Sequence, residues 1–255
     1  MILAIDMGNT NIVIGCIDDE NTYFVERMST DLSKTELEYA VGIKTVLELY
    51  NIKVDDLEGI IISSVVPPLV NILKRACKKV LDTEVYVVGP GIKTGLNILM
   101  DNPAQVGSDM IVSAVAGLKE YGAPFIFVDM GTATTISVVD KKGNYVGGAI
   151  LPGMNTAMNG LVSNTAQLPK ISMEAPQKVI GKNTIDCMKS GMVMGNAACI
   201  DGMIDRMFEE LGYETKLLAT GGLAGVVVPH CKHEIIIDDA LLLKGLKIIY
   251  DKNKK

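Results

Sequence analysis

The sequence predicts an α/β fold made of two similar halves, each built around a mixed β-sheet. A pattern at residues 4–18, AIDMGNTNIVIGCID, is nearly repeated at residues 128–140, VDMGTATTISVVD. Asp6 aligns with Asp129, an offset of 123 residues in a chain of 255. A repeat at half the chain length is typical of a duplicated unit. Strands and helices then alternate after each copy, which favours an α/β architecture.

Each copy of the repeat predicts a β-hairpin. An apolar strand leads into a turn of Asp, Gly, Asn and Thr, and a strand rich in β-branched residues follows. Glycine lets the backbone approach a ligand, so turn amides and Thr or Asn side chains can donate to phosphate oxygens. An Asp at the end of the first strand can hold a cation that shields them. Two such turns facing each other would clamp a nucleotide. Two ordinary Asp-Gly hairpins are the alternative.

The elements after each hairpin follow a similar order in the two halves. Strands are predicted at residues 22–28, 59–62 and 85–88 in the first half, and at 124–129, 134–140, 144–151 and 217–220 in the second. Helices are predicted at residues 34–50, 67–81, 185–211 and 241–250, and another has Asp109 in its first turn. The apolar face of the first helix is expected at Leu37, Val41, Val46 and Leu49.

Asp109 lies in the first turn of a predicted helix, and two interpretations of it are open. A carboxylate at this position commonly accepts hydrogen bonds from free backbone amides and interacts with the helix dipole, worth about 1 kcal/mol. Alternatively, it projects from a rigid element into the cleft between the halves, where it could accept a proton. The residues alone do not decide between these roles.

Composition and charge narrow the classes of function. A hydrophobic content of 48% with 21% charged residues predicts packed cores and argues against disorder. The net charge of −6 argues against nucleic acid as a partner, because phosphate backbones attract basic faces. We see no signal peptide and no apolar run long enough to span a membrane. Five scattered cysteines fit free thiols in a reducing compartment, so a cytoplasmic protein without a membrane partner is expected.

The motifs together resemble the type III pantothenate kinases, in the actin, sugar kinase and Hsp70-like superfamily. The resemblance runs nearly end to end and rests on DMGNTN at residues 6–11, SSVVPP at 63–68, VVGPGIKTGLNI at 87–98, DNPAQVGSD at 101–109, DMGTATT at 129–135, GGAILPG at 147–153, TAQLP at 165–169, KNT and SGMVMG at 182–195 and ATGGLA at 219–224. It implies two duplicated ribonuclease H-like, actin-like ATPase domains with mixed sheets. We place them at residues 1–115 and 116–255, with the dimerisation and substrate-pocket elements in the second.

The resemblance implies ATP-dependent phosphorylation of pantothenate to 4'-phosphopantothenate, the first step of coenzyme A biosynthesis, by a homodimer that uses Mg²⁺ and K⁺ or NH₄⁺. By the family pattern, the nucleotide is bound by Asp6, Met7, Gly8, Asn9, Thr10, Asn11, Ile12, Val13 and Thr132. Asp6 lies near the magnesium ion, and Asp129 is the position of the monovalent cation. The implied substrate positions are Met100, Gly107, Ser108, Asp109, Met110 and Thr184, with Asp109 as the proton acceptor.

Three residues near the implied substrate pocket depart from the family pattern. Met110 stands where arginine is typical, Met100 where an aromatic residue is usual and Ser113 where asparagine is usual. A guanidinium can hold a carboxylate or phosphate through two hydrogen bonds, which methionine cannot do. The retained positions favour an active pantothenate kinase: Asp6, Asp109, Asp129, Thr132 and Thr184. The alternatives are a non-catalytic relative that senses ATP or pantothenate, and a kinase for another small hydroxy acid.

Overall fold

The computed structural model describes residues 1–254, which form two β-sheets with helices packed on them. The strands among these residues are β1 (Ile2–Met7), β2 (Asn11–Ile17), β3 (Thr22–Ser29), β4 (Gly59–Ser64), β5 (Val85–Val87), β6 (Asn97–Ile98), β7 (Phe125–Met130), β8 (Ala133–Val139), β9 (Asn144–Pro152), β10 (Lys216–Thr220) and β11 (Ile236–Ile237). The α-helices are α1 (Glu36–Leu49), α2 (Pro67–Val80), α3 (Ser108–Glu120), α4 (Met154–Ser163), α5 (Thr184–Leu211), α6 (Ala224–Val227) and α7 (Leu241–Asn253).

The two sheets repeat one strand order. The first sheet runs β3-β2-β1-β4-β5, and the second runs β9-β8-β7-β10-β11 with β6 added beside β9. In each sheet the central strand pairs antiparallel with its hairpin partner and parallel with the strand on its other side. The predicted α/β fold with two mixed sheets is therefore confirmed.

The chain divides into two compact units. The first unit contains Met1–Asn97, Asp101–Glu120 and the segment that begins at Ala240, and the second contains Ile98–Met100 and Tyr121–Asp239. The sequence-based division at residues 115 and 116 placed the last helix in the second half. The structure instead packs α7 against α3 and β1, because Leu243, Leu246 and Ile249 lie in the apolar cluster on that side of the first sheet.

The two faces of β1 pack against different helices, as alternation along a strand requires. Leu3, Ile5 and Met7 lie in a buried cluster with residues of α1 and α2. Ile2 and Ala4 lie in a second cluster with residues of α3 and α7. Asp6 has the same parity as Ile2 and Ala4, so its side chain belongs to the face of the sheet that α3 covers.

The buried face of α1 differs from the prediction. Leu37, Val41 and Leu49 are each more than half exposed. The buried residues of the helix are Tyr39, Ala40, Ile43 and Leu47. The helix carries apolar residues on more than one side, so its sequence alone does not show which side is buried. The side that carries Tyr39 packs into the core of the first unit. The Tyr39 hydroxyl donates to the backbone oxygen of Asp31 at 2.8 Å, which satisfies the polar end of this buried ring.

Two further expectations concern the thiols and the membrane. All five cysteines lie within residues 1–254 and are free thiols, as predicted. Burial raises the pKa of the Cys16 and Cys77 thiols to about 12. Among the helices of the described residues, none combines the length and the apolar character that a membrane span requires.

Candidate active site

The first glycine corner joins β1 to β2 and is supported from behind. The Gly8 amide donates to the Asn11 oxygen at 3.0 Å, which closes the turn. Thr30, just beyond β3, donates from its hydroxyl to the Gly8 oxygen at 2.7 Å and from its amide to the Thr10 oxygen at 3.0 Å. Asn9, Thr10 and Asn11 are exposed at the tip. The turn is therefore fixed in shape while its polar side chains face solvent.

The predicted nucleotide positions around this corner differ in accessibility. Met7 and Ile12 are completely buried, so only their backbone atoms could reach a ligand. Val13 is partly buried and packs against the apolar cluster beneath α3 and α7. Asp6 is 7% exposed at the end of β1. The exposed turn residues are therefore the side chains in this set that are open to direct contact.

The second glycine corner joins β7 to β8 and is one residue shorter. The Gly131 amide donates to the Ala133 oxygen at 3.0 Å, and Thr132 is exposed at the tip. The Thr132 oxygen accepts from the Gly153 amide at 3.2 Å and from the Thr156 hydroxyl at 2.8 Å. The start of α4 therefore holds this corner in place. Helix α4 was not among the predicted elements, although Met154 and Met158, which are buried one turn apart, give it a short helical pattern.

Two glycines allow backbone to pass close to the second corner. A Cβ on Gly153 would overlap the Gly131 oxygen and lie 2.5 Å from the Thr132 oxygen. A Cβ on Gly221, which has φ +96°, would lie 2.6 Å from the Met130 amide nitrogen and 2.7 Å from the Asp129 carboxylate. The GGAILPG and ATGGLA motifs thus each place one glycine, Gly153 and Gly221, against the second corner, where any larger residue would displace it.

The two aspartates of the repeat occupy equivalent places in the two sheets. Asp6 is paired with Val13 across the antiparallel ladder and with Ser63 across the parallel one. Asp129 is paired in the same way with Thr135 and Thr220. Each aspartate therefore has a buried hydroxyl residue beside it at the end of the next parallel strand. Ser63 and Thr220 are not among the predicted site residues, although each lies at the end of an apolar strand, and that position was the available signal.

Asp109 lies in the first turn of α3, in the first unit. Its Oδ1 atom accepts a hydrogen bond from the Met110 amide at 2.9 Å. A Cβ on Gly107 would overlap this same oxygen, so the glycine leaves room for the carboxylate. Burial raises the pKa of Asp109, and hydrogen bonds from backbone amides oppose the rise. A raised pKa makes the carboxylate a stronger base. Because α3 covers the face of the sheet to which Asp6 belongs, Asp6 and Asp109 lie on the same side of the first sheet.

The other predicted substrate positions are divided between the units. Met110 is 8% exposed, so its side chain offers little surface to a ligand. Met100 is 37% exposed and lies in the second unit near Gly147. Thr184 begins α5, after Asn183 caps the helix, and lines a cavity of about 540 Å³. Ser113 is completely buried, so its departure from the family pattern does not change a pocket wall.

Solved structures share this architecture. A protein from Campylobacter jejuni described as a Baf family transcriptional activator matches 99% of this chain and 98% of its own, with a TM-score of 0.61 at 21% identity. Component A of (R)-2-hydroxyglutaryl-CoA dehydratase from Acidaminococcus fermentans matches with a TM-score of 0.55 at 14% identity, covering 98% and 96%. A protein from Porphyromonas gingivalis described as an N-acetylglucosamine kinase gives 0.51 at 12%, covering 99% of both chains. These likenesses show the fold, which is a duplicated α/β unit with a mixed sheet in each copy.

The sequence comparisons give the family. The family model described as type III pantothenate kinase matches residues 2–206. A type III pantothenate kinase from Exiguobacterium sp. strain AT1b is 45% identical over 255 residues, which is 100% of both chains. The chain belongs to the type III pantothenate kinase family. The family's reaction, ATP-dependent phosphorylation of pantothenate in coenzyme A biosynthesis, is the function that the motifs implied, and that prediction is confirmed.

Proposed function

We propose that this chain catalyses its family's reaction with Asp109 as the group that accepts the proton from the primary hydroxyl of pantothenate. The observation that carries the proposal is the partly buried carboxylate of Asp109, whose pKa is raised, at the start of α3. Transfer of a phosphoryl group from ATP needs little more than alignment of the hydroxyl and neutralisation of charge on the phosphate oxygens. A carboxylate is a sufficient base, because the alcohol loses its proton late in the reaction.

The glycine corners supply the nucleotide contacts in this proposal. The exposed side chains of Asn9, Thr10 and Asn11 donate to phosphate oxygens from the first corner, and the Gly8 amide keeps that corner closed by donating to the Asn11 oxygen. Thr132 contacts the nucleotide from the second corner. Backbone amides and hydroxyls can bind phosphate without a lysine when the turn is held in a fixed shape. The hydrogen bonds of Thr30 to the first corner and of Thr156 to the second supply that rigidity.

The donor set at the first corner fits Mg²⁺. Asp6 offers carboxylate oxygens at the end of β1, and magnesium prefers oxygen ligands. Within residues 1–254 no group of three or more His, Cys, Asp or Glu residues is arranged to hold a metal. Proteins usually hold magnesium at an ATP site with one or two carboxylates, and substrate phosphates and water complete the coordination of the ion. When bound, the ion neutralises charge on the phosphate oxygens.

Asp129 is proposed to hold K⁺ or NH₄⁺ in the second unit. Its neighbours in the sheet, Thr135 and Thr220, carry hydroxyl oxygens, and together with the carboxylate they form an oxygen-rich set suited to a hard cation. The close passage of Gly221 beside the Asp129 carboxylate fixes its surroundings.

The substrate contacts complete the proposal. Gly107, Ser108, Asp109 and Met110 lie in the first unit, and Met100 and Thr184 lie in the second. Lys182 lines the same cavity as Thr184, and its positive charge favours an acidic substrate.

A coupled kinase assay with ATP, Mg²⁺, K⁺ and pantothenate tests this function. We expect turnover that falls to background when EDTA removes the divalent ion and that decreases when K⁺ is omitted. Measurable binding of ATP or pantothenate without turnover would favour the alternative of a non-catalytic relative that senses one of these ligands. If a substrate panel shows turnover with another small hydroxy acid but not with pantothenate, the chain is a kinase for that other substrate.

We further propose a homodimer whose interface lies on the second unit. Nine large apolar residues among the described residues of this unit are exposed, and the most exposed are Ile150 at 81% and Ile180 at 82%. Val179 and Ile185, close to Ile180 in sequence, are also exposed, at 65% and 49%. This proposal takes Val179, Ile180 and Ile185, which are close in sequence, as part of one apolar patch, because exposed apolar patches are typical of a protein–protein interface.

Replacing Ile180 with Glu is expected to convert the dimer to a monomer, because an interface excludes an unpaired charge at its apolar centre. Sedimentation velocity at several protein concentrations measures the change. Leu49→Glu is the matched control, since Leu49 is similarly exposed but belongs to α1 of the first unit. A variant at 180 that still sediments as a dimer would place the interface elsewhere.

A further inference from the structure

Ser108, the first residue of α3, uses the full hydrogen-bonding capacity of its hydroxyl within the protein. Its oxygen accepts from the Ser63 hydroxyl at 2.9 Å and from the Ser64 amide at 3.1 Å. The same hydroxyl donates to the Ser64 oxygen at 3.1 Å. A serine hydroxyl has one hydrogen to donate and two lone pairs, so all three are engaged. It therefore has no capacity left for a substrate.

Both hydrogen-bond partners of Ser108 lie at the end of β4, next to the strand that carries Asp6. Ser63 is completely buried and is paired with Asp6 in the parallel ladder, and Ser64 is paired with Met7. The Val65 amide extends the connection by donating to the Met7 oxygen at 3.1 Å. The hydroxyl of Ser108 thus joins the start of α3 to a rigid part of the first sheet.

Asp109 is the residue directly after this attachment. Its carboxylate lies in the space left by Gly107 and accepts from the Met110 amide. Any movement of the first turn of α3 therefore moves the carboxylate. A displacement of about 1 Å at a reacting group can lower a rate about 100-fold.

We propose that Ser108 is a positioning residue, whose hydroxyl ties the start of α3 to β4 and thereby holds the Asp109 carboxylate in the place from which it acts. This inference rests on the proposed function, in which Asp109 accepts the substrate proton. Ser108 acts through Asp109 and through its bonds to Ser63 and Ser64. Its hydroxyl contacts no reactant, so the substrate contact proposed at this position belongs to its backbone.

Ser108→Ala is the first test, in the full-length chain with ATP and pantothenate. We expect kcat to fall about tenfold while KM for ATP stays within about twofold, because the variant misplaces the base and leaves the nucleotide corners intact. Tyr250→Phe is the matched control. Tyr250 is a buried residue of the first unit, and its hydroxyl donates to the Glu58 oxygen at 3.1 Å. Glu58 directly precedes β4, at the end of the strand opposite to Ser63 and Ser64, so this variant also removes one hydroxyl hydrogen bond. The control is expected to keep the parent rate.

The double variant with Asp109→Asn separates positioning from general loss of structure. If Ser108 acts through Asp109, Ser108→Ala adds little to the loss caused by Asp109→Asn alone. A full tenfold loss in both backgrounds would overturn the proposal. Ser63→Ala removes one of the three bonds and is the milder variant should Ser108→Ala fail to fold. It is expected to lower kcat about threefold, and a parent rate would count against the proposal.

Hydrogen exchange tests the attachment without any turnover. In Ser108→Ala, or in Ser63→Ala as the milder variant, we expect faster exchange of the amides in the first turn of α3, with no such change in Tyr250→Phe. Unchanged exchange in that turn would show that the hydroxyl does not hold it. If the parent chain lacks kinase activity, the proposed function fails while the exchange result still decides whether the attachment exists.

Discussion

Replacing Asp109 with Asn is expected to lower kcat by about 10²- to 10⁴-fold, the range typical of losing a general base. The amide is close in size to the carboxylate and can still accept from the Met110 amide, so the loss reports the missing base. In the parent chain, kcat/KM for pantothenate should fall as pH is lowered through the raised pKa of Asp109. The variant should lose this dependence. Steady-state rates measured across pH test both statements.

The same substitution is expected to raise the melting temperature at neutral pH. Because the pKa of Asp109 is raised by folding, the folded chain binds more protons than the unfolded chain between the two pKa values. The free energy of unfolding therefore falls as pH rises through that window, and the full penalty is present above it. Asparagine has no charge to bury and removes the penalty.

Asp55→Asn is the matched control, because Asp55 is exposed in a 3₁₀ turn far along the chain from the proposed site. It should change neither the rate nor the melting temperature appreciably. If Asp109→Asn retained a rate within a few-fold of the parent, Asp109 would not be the base. A lower melting temperature would instead indicate that the carboxylate has a structural role.

Gly245→Ala is expected to destabilise the protein by about 3 kcal/mol, at the upper end of typical overpacking costs. Gly245 lies in α7, and a Cβ there would overlap the backbone oxygen of Val112 in α3. Backbone cannot move aside as a flexible side chain can, so the two helices would have to separate. Thermal and urea unfolding of the variant measure the loss.

Gly160→Ala provides the opposite case. Gly160 lies in α4, and a Cβ there meets no atom within 4 Å. Alanine should therefore stabilise that helix by about 0.5–1 kcal/mol through its better helix propensity. Opposite signs for the two glycine substitutions would establish close helix contact as the cause. If Gly245→Ala were neutral or stabilising, the packing of α7 on α3 would be looser than described.

The fold could be predicted well because its signals are local. Turn glycines, β-branched strands and apolar helix periodicity located both hairpins and most of the long elements to within a few residues. The buried face of α1 could not be read, because the helix is apolar on two sides and only tertiary packing selects one. The placement of α7 in the first unit was missed for a related reason, since periodicity does not say which sheet an apolar helix covers.

The candidate site was predictable in part. Asp6, Asp129 and Asp109 were found from repetition and from position in a helix, and their roles stay predictions. The hydroxyl network of Ser63, Ser64 and Ser108 was not found, because its members lie about 45 positions apart in sequence. The role of Thr156 in supporting the second corner was hidden because α4 itself was not assigned.

The position of α7 has a consequence for how the protein is made. Residues 121–239 of the second unit leave the ribosome before Leu241–Asn253, which complete the first unit. The side of the first sheet that carries Ile2, Ala4 and Ile61 therefore stays partly uncovered while more than a hundred later residues are translated. The second unit has its whole sequence available earlier, so the unit that begins synthesis is the last to have all of its residues available for folding.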